Sequence, residues 1–84
     1  MAYLVEHFWP GVSEEDFRLA AGRVRASADA MALDGREIRF LHSTLVPEDE
    51  AAFCVLEAGS SALVAEAYRR AGVAHERILE ALEA

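Results

Sequence analysis

The chain has 84 residues and a mass of 9.2 kDa, which suits a single small domain over residues 1–84. Its 15 acidic and 8 basic residues give a formal net charge of −7, which argues against nucleic acid or an anionic membrane as a partner. No apolar run is long enough for a membrane span and no charged leader precedes one, so we expect a soluble, cytoplasmic protein. The single cysteine, Cys54, excludes an internal disulfide and a two-cysteine metal knuckle.

The first half of the chain predicts a strand, a helix and a second strand. Residues 2–9 are rich in aromatic and branched side chains and end at a Pro-Gly turn, which is typical of a strand. Ser13 and the three acidic residues after it predict the start of a helix over about residues 14–32. Its apolar stripe is spaced three and four residues apart and consists of Phe17, Ala21, Val24, Ala28 and Met31. Asp34–Gly35 ends the helix, and residues 36–46 predict the second strand.

The second half of the chain predicts a hairpin partner, a helix and a last strand. Residues 51–58 form the third strand after a polar loop at 47–50. A second helix follows over residues 61–71, and Gly72 ends it. The composition of residues 74–84 favours a helix, but a β-α-β-β-α order is completed by a strand. We therefore expect a turn at 75–77 and a strand over about residues 78–83.

This order predicts a ferredoxin-like α+β fold, with a four-stranded antiparallel sheet and two helices on one face. Strict alternation assigns one face of the hairpin to Ile38, Phe40, His42, Thr44, Phe53 and Val55. It assigns the other face to Leu41, Leu45, Cys54 and Leu56. Both sets are largely apolar, and the helices can cover only one of them. We therefore expect the chain to be its own partner, in a homodimer formed through the open sheet face.

Histidines and strand carboxylates are the candidate metal ligands. His7 and His42 come late in strands whose ends meet at the same edge of the sheet, where they could approach each other or their symmetry mates. Imidazole suits nickel, copper or zinc, and Glu6 or Glu57 could complete the ligand set. The sequence contains no phosphate-binding glycine loop and no hydrolase or zinc-protease motif, so no catalytic residues are predicted.

Each candidate also has a structural interpretation. A strand histidine can simply satisfy a hydrogen bond, and a glutamate in an apolar strand can pair with an arginine such as Arg39. Cys54 is most simply a small buried apolar side chain, and His75 is expected to be an exposed turn residue. We keep these interpretations beside the metal site.

Short segments spread over residues 3–79 carry a resemblance to known proteins: Tyr3-Leu-Val-Glu-His7, Trp9-Pro-Gly11, Leu41-His-Ser-Thr-Leu-Val46, Glu48-Asp49, Phe53-Cys-Val55, Glu57-Ala58, Ala71-Gly-Val73 and Arg77-Ile78. Together these segments resemble a small bacterial family of nickel-binding, ferredoxin-like proteins of unknown role. The resemblance implies a βαββαβ dimer that binds metal, with Glu6, His42 and Glu57 at matching positions able to serve as ligands. His7 stands where the family often has arginine, and Ala74 where it often has proline.

Three functions are compatible with these residues. The first is a small homodimeric protein that buffers or senses nickel or another divalent transition metal without catalytic turnover. The second is a dimeric α+β barrel that binds or transforms a small organic ligand in a pocket near His42, lined by Phe40 and Phe53. The third is a structural or protein-interaction module in which the histidines only form hydrogen bonds.

Overall fold

The computed structural model describes residues 1–82 and has the predicted βαββαβ order. Its elements are β1 (Ala2–Phe8), α1 (Glu14–Leu33), β2 (Ile38–Val46), β3 (Ala51–Ala58), α2 (Ser61–Ala71) and β4 (Arg77–Ala81), with a short 3-10 turn at Pro47–Asp49. The strands form one sheet in the order β2-β3-β1-β4, and every neighbouring pair is antiparallel. This is the ferredoxin-like arrangement, so the predicted fold class is confirmed.

The helix ends follow the expected chemistry at two positions. The Ser13 hydroxyl accepts a hydrogen bond from the Asp16 backbone N–H at 3.0 Å, which satisfies a donor that the first turn of α1 leaves free. Gly72 ends α2 with φ of +69°, in the left-handed region that glycine adopts at little cost. Over residues 1–82, neither helix has the combined length and apolar character needed to cross a membrane.

The core lies between the two helices and one face of the sheet. The helices contribute Val24, Ala28, Met31, Val64, Ala67 and Tyr68, and the strands contribute Tyr3, Val5, Ile38, Phe40, Cys54, Leu56 and Ala58. In α1 the buried set includes Ala20, whereas the predicted Ala21 is only partly buried. In each helix the buried residues recur at a spacing of three or four, so one side of the helix packs against the sheet.

A β-bulge in β2 makes the predicted division of the hairpin faces wrong. The pairing of β2 with β3 shifts register between Phe40 and His42, so alternation does not run unbroken along the strand. Phe40 and Ile38 therefore lie in the core, whereas His42 is exposed and pairs with Val55 on the opposite, open face. Because of this one extra residue, Ile38 and Phe40 lie on one face of the sheet and His42 and Thr44 on the other. Strict alternation had placed all four on the same face.

The last strand forms despite its helical composition. β4 pairs with β1 along Arg77–Ala81, and the Glu76 backbone N–H donates to the Glu6 carbonyl at 2.8 Å just before it. The strand predicted over 78–83 is thus confirmed in type, with an earlier start and end; residue 83 lies outside the described residues. The unpaired edge of β1 gives this segment backbone partners that a separate helix would not have.

Replacing a core side chain should lower stability much more than replacing an exposed one. Leu56 is fully buried, so Leu56→Ala should cost about 2–5 kcal/mol through lost burial and a residual cavity. Leu19 is 60% exposed on α1, and Leu19→Ala should change the free energy of unfolding by less than about 0.5 kcal/mol. Urea unfolding of both variants measures the difference; equal losses would contradict this description of the core.

Candidate functional site

The two faces of the sheet carry different chemistry, and β1 shows the division most clearly. Adjacent strand residues point to opposite faces, so Glu6 lies on the open face while His7 points toward the helices. His7 is the only polar or charged side chain among the buried residues within 1–82, with 2% of its surface exposed. The four predicted metal ligands are therefore divided between the faces.

His7 is held by hydrogen bonds at both ring nitrogens. Its Nδ1 lies 2.9 Å from the Ala52 carbonyl oxygen, and its Nε2 lies 2.9 Å from the Tyr68 hydroxyl. Because a carbonyl can only accept, Nδ1 carries the proton, and neutral Nε2 accepts from the Tyr68 hydroxyl. The ring also lies 4.6 Å from the Trp9 ring, centroid to centroid. These contacts link β1, β3 and α2 at one buried point.

Burial sets the protonation states of His7, Tyr68 and Cys54. Desolvation lowers the pKa of His7 below its ordinary value, an effect that the hydrogen bond to Ala52 partly offsets. Burial also raises the pKa values of the Tyr68 hydroxyl and the Cys54 thiol. At neutral pH all three side chains are uncharged, which suits a structural polar contact rather than a nucleophile or an acid–base pair.

His42, Glu57 and Glu6 all lie on the open face of the sheet. Opposite pairs along β2 and β3 join His42 to Val55 and Arg39 to Glu57, which makes His42 and Glu57 diagonal neighbours. Diagonal positions in an antiparallel pair lie about 7–8 Å apart, within reach of long side chains. Glu6 lies one strand further along and is paired with Phe53 of β3.

The two carboxylates have arginine partners, as the structural interpretation expected. Arg77 Nε donates to both oxygens of Glu6, at 2.9 and 3.0 Å, and this contact raises the pKa of Arg77. The Glu57 carboxylate lies 3.7 Å from Arg39, a looser contact beyond hydrogen-bond length. His42 is exposed and makes no side-chain hydrogen bond within residues 1–82. Its ring is therefore available to a ligand, while that of His7 is occupied.

No group of three or more His, Cys, Asp or Glu residues within 1–82 is close enough to hold a metal ion. The sheet separates His7 from the other three candidates, so the expectation that His7 and His42 approach each other is not met inside one protomer. His42, Glu57 and Glu6 do share a face. Within residues 1–82 these three side chains are not close enough together to form a metal site by themselves.

The groove that lies closest to the predicted description does not match the pocket predicted near His42. A groove of about 530 Å³ lies between α1 and β2 and is lined by Phe40, but His42 and Phe53 do not line it. Both of these residues are on the open face, on the other side of the sheet. His42 thus cannot serve as the polar anchor of that groove.

Three residues of the buried cluster were not identified from the sequence as partners of His7. The sequence predicts Tyr68 as an inward-facing helix residue, Trp9 as a core or interface residue and His75 as an exposed turn residue. In fact His75 is half-buried, and its ring lies 5.0 Å from that of Tyr68. A buried histidine signals the need for a polar partner, but 61 residues separate His7 from Tyr68, and only the fold supplies that pairing.

A comparison with protein families places the chain. The model for the family described as "Nickel responsive protein SCO4226-like" matches residues 3–81. The chain belongs to this family. The resemblance noted from the sequence is therefore confirmed, and with it the nickel-related description of the family as a whole.

A solved structure supports the same fold. The chain is similar to the crystal structure of SCO4226 from Streptomyces coelicolor A3(2), with a TM-score of 0.76 and 21% identity over 100% of both chains. At this identity the likeness establishes the fold alone. A comparison with curated proteins finds no match.

Acidification should destabilise this family member through His7. Its pKa is lower in the folded than in the unfolded chain, so between the two values the unfolded chain binds more protons. The stabilising contribution is therefore complete above about pH 6.5 and is lost as the pH falls toward the folded-state pKa. Urea unfolding between pH 7.5 and 5.5 should show this decline, with a slope of at most about 1.4 kcal/mol per pH unit.

The matched variants identify which histidine is responsible. His7→Gln should flatten the pH dependence, and His42→Gln on the exposed face should leave it unchanged. If the decline persisted in His7→Gln, another group would be its source.

Proposed function

We propose that this protein binds a nickel-like divalent cation at the open sheet face of a homodimer, and buffers or senses that ion without catalytic turnover. The observation that carries the proposal is the unengaged imidazole of His42, diagonal to the loosely paired carboxylate of Glu57. The nickel-responsive description of its family supports the choice of metal.

The donor set suits a borderline transition metal. Imidazole nitrogen binds nickel, copper and zinc, and carboxylate oxygen is a common additional ligand. Cys54 is buried on the helix side and is not available to the open face. Nickel or another divalent ion would thus be held by nitrogen and oxygen donors, with His42 as the principal ligand and Glu57 beside it.

A second copy would supply the missing ligands. Within residues 1–82, only His42 and Glu57 are near neighbours among these candidate ligands, which is too few donors for a closed site. A two-fold axis through the open faces would bring in the same pair from the partner. Ligands from both chains would make cation binding and dimerisation favour each other, because the ion then binds the dimer more tightly than the monomer.

The apolar character of the open face supports this association. Phe8 is 56% exposed at the end of β1, and Leu4, Phe53 and Leu79 are half-buried on neighbouring strands of the same face. An antiparallel sheet with helices on one side exposes its other side unless a partner covers it. A second sheet packed against these side chains would remove them from water.

The Glu6 carboxylate is already ion-paired and is not directly available to a cation. Arg77 binds both of its oxygens, so a cation would have to displace that guanidinium before Glu6 could act as a ligand. We therefore assign Glu6 a secondary part in metal binding. His7 takes no part in it, because both of its nitrogens are already engaged.

Nickel titration of tag-free, chelator-stripped protein tests the metal site. Calorimetry should give micromolar or tighter affinity and a stoichiometry of one cation per two chains. His42→Ala should weaken binding more than about tenfold, since it removes the principal nitrogen donor. His75→Gln is the matched control, because it removes a histidine from a turn on the helix side, and it should change affinity by less than about twofold.

Two results would contradict the proposed site. Binding that His42→Ala leaves unchanged would move the metal elsewhere on the chain. The absence of any binding heat, together with no thermal shift on adding nickel, would remove the metal function and leave the protein-interaction alternative.

Sedimentation tests the dimer independently of the metal. At micromolar concentration the metal-free protein should have twice the chain mass of 9.2 kDa. Phe8→Glu would introduce a charge into the proposed interface and should shift the mass toward the monomer. Leu19→Glu, at a similarly exposed leucine on α1, should not; dissociation by both variants, or a monomeric parent protein, would contradict the sheet-face dimer.

A further inference from the structure

The groove between α1 and β2 is formed by small residues and by the bulge that redirects β2. Past the bulge, Ser43 and Leu45 lie on the helix side of the sheet, and they line the groove together with Ala21 and Gly22 of α1. A Cβ added at Gly22 would find no atom within 4 Å, so this part of the interface is open space rather than packed core. The resulting volume, about 530 Å³, is in the range typical of small-molecule sites, about 300–1,000 Å³.

The lining of the groove combines an apolar wall with an uncompensated positive charge. Phe17, Phe40 and Leu45 supply apolar surface. Arg18 at the rim is paired with Glu14 at 3.1 Å, which leaves Arg25 as the remaining charged group. Arg25 forms no ion pair within residues 1–82; instead its guanidinium carbon lies 5.0 Å from the centre of the Phe40 ring.

This arrangement leaves the hydrogen-bonding capacity of Arg25 available. Guanidinium carries five N–H donors, and contact with an aromatic face uses its charge without using those donors. A planar carboxylate is the anion that matches two parallel guanidinium N–H groups. The Ser43 hydroxyl on the opposite wall is a further donor beside the same space.

We propose that the groove between α1 and β2 binds an organic monocarboxylate, with its carboxylate on Arg25 and its apolar body along Phe17, Phe40 and Leu45. This site is separate from the proposed cation site, since His42 and Glu57 lie on the other face of the sheet. The net charge of −7 disfavours anions over the surface as a whole, so a preference for an anion would have to come from a local positive group such as Arg25.

Decanoate, used below its micellar concentration, is a suitable probe, and decyltrimethylammonium is its charge-reversed control with the same tail. Decanoate should bind at least about tenfold more tightly than the cation in calorimetric titrations, because only the anion pairs with Arg25. In amide-resolved NMR spectra its largest shifts should fall on Gly22, Arg25 and Ser43. Equal or tighter binding of the cation, no binding of decanoate at 1 mM (roughly the weakest affinity that such a site would have), or shifts centred on Phe53 and Val55 would each overturn the proposal.

Three variants distinguish the contributions of the Arg25 charge and of the open groove to decanoate binding from a general effect on folding. Arg25→Gln should weaken decanoate binding about tenfold or more, whereas Arg23→Gln, an exposed residue on the same helix that does not line the groove, should change it less than about twofold. Gly22→Leu should block the groove while raising thermal stability, because leucine replaces a glycine inside a helix without a steric clash at its Cβ. Retained binding in Gly22→Leu, or equal loss in both arginine variants, would contradict the site.

Discussion

The opposite orientation of adjacent strand residues divides this small sheet into two chemically distinct faces. Glu6 and His7 are neighbours in β1, yet one is ion-paired on the open face and the other is buried beneath the helices. In β2 the bulge between Phe40 and His42 sets the same division: Phe40 remains in the core, and His42 passes to the open face. Every assignment of function to the histidines follows from these two positions.

On the helix side, the division produces a buried polar contact with a structural role. His7 satisfies the Ala52 carbonyl and the Tyr68 hydroxyl in a space from which water is excluded, and so joins β1 to β3 and α2. The contact is favourable only while the imidazole is neutral, because a buried charge without a counter-ion is costly. On the open side, His42 is exposed, so its ring needs no buried hydrogen-bond partner and is available to an external ligand. Two histidines in one small sheet thereby lie in opposite environments, one buried and hydrogen-bonded and the other exposed.

Local chemistry was sufficient to predict the first five elements, the Ser13 cap and the Gly72 helix end, and it offered Arg39 as a partner for a strand glutamate. The last strand could be predicted only from topology, since the residues of Arg77–Ala81 have a helical composition. The bulge in β2 was not predicted. The inward-facing apolar residues shift from the even positions Ile38 and Phe40 to the odd position Leu45, but apolar residues on both faces of the strand obscure that shift. That single irregularity moved His42 away from Phe40 and separated the groove from the proposed cation site. The Tyr68 partner of His7 was equally hidden, since it comes from an element near the other end of the chain.

The proposed function requires His42 to be the ligand and His7 the structural histidine, and side-chain NMR tests that distinction most directly. Long-range ¹H–¹⁵N spectra would follow the ring nitrogens of each histidine while zinc, a diamagnetic ion that also binds imidazole, is added. The His42 ring signals should change up to one zinc per two chains, while those of His7 keep the pattern of a neutral ring protonated at Nδ1. Changes that begin at His7, with His42 unaffected, would contradict the proposed function.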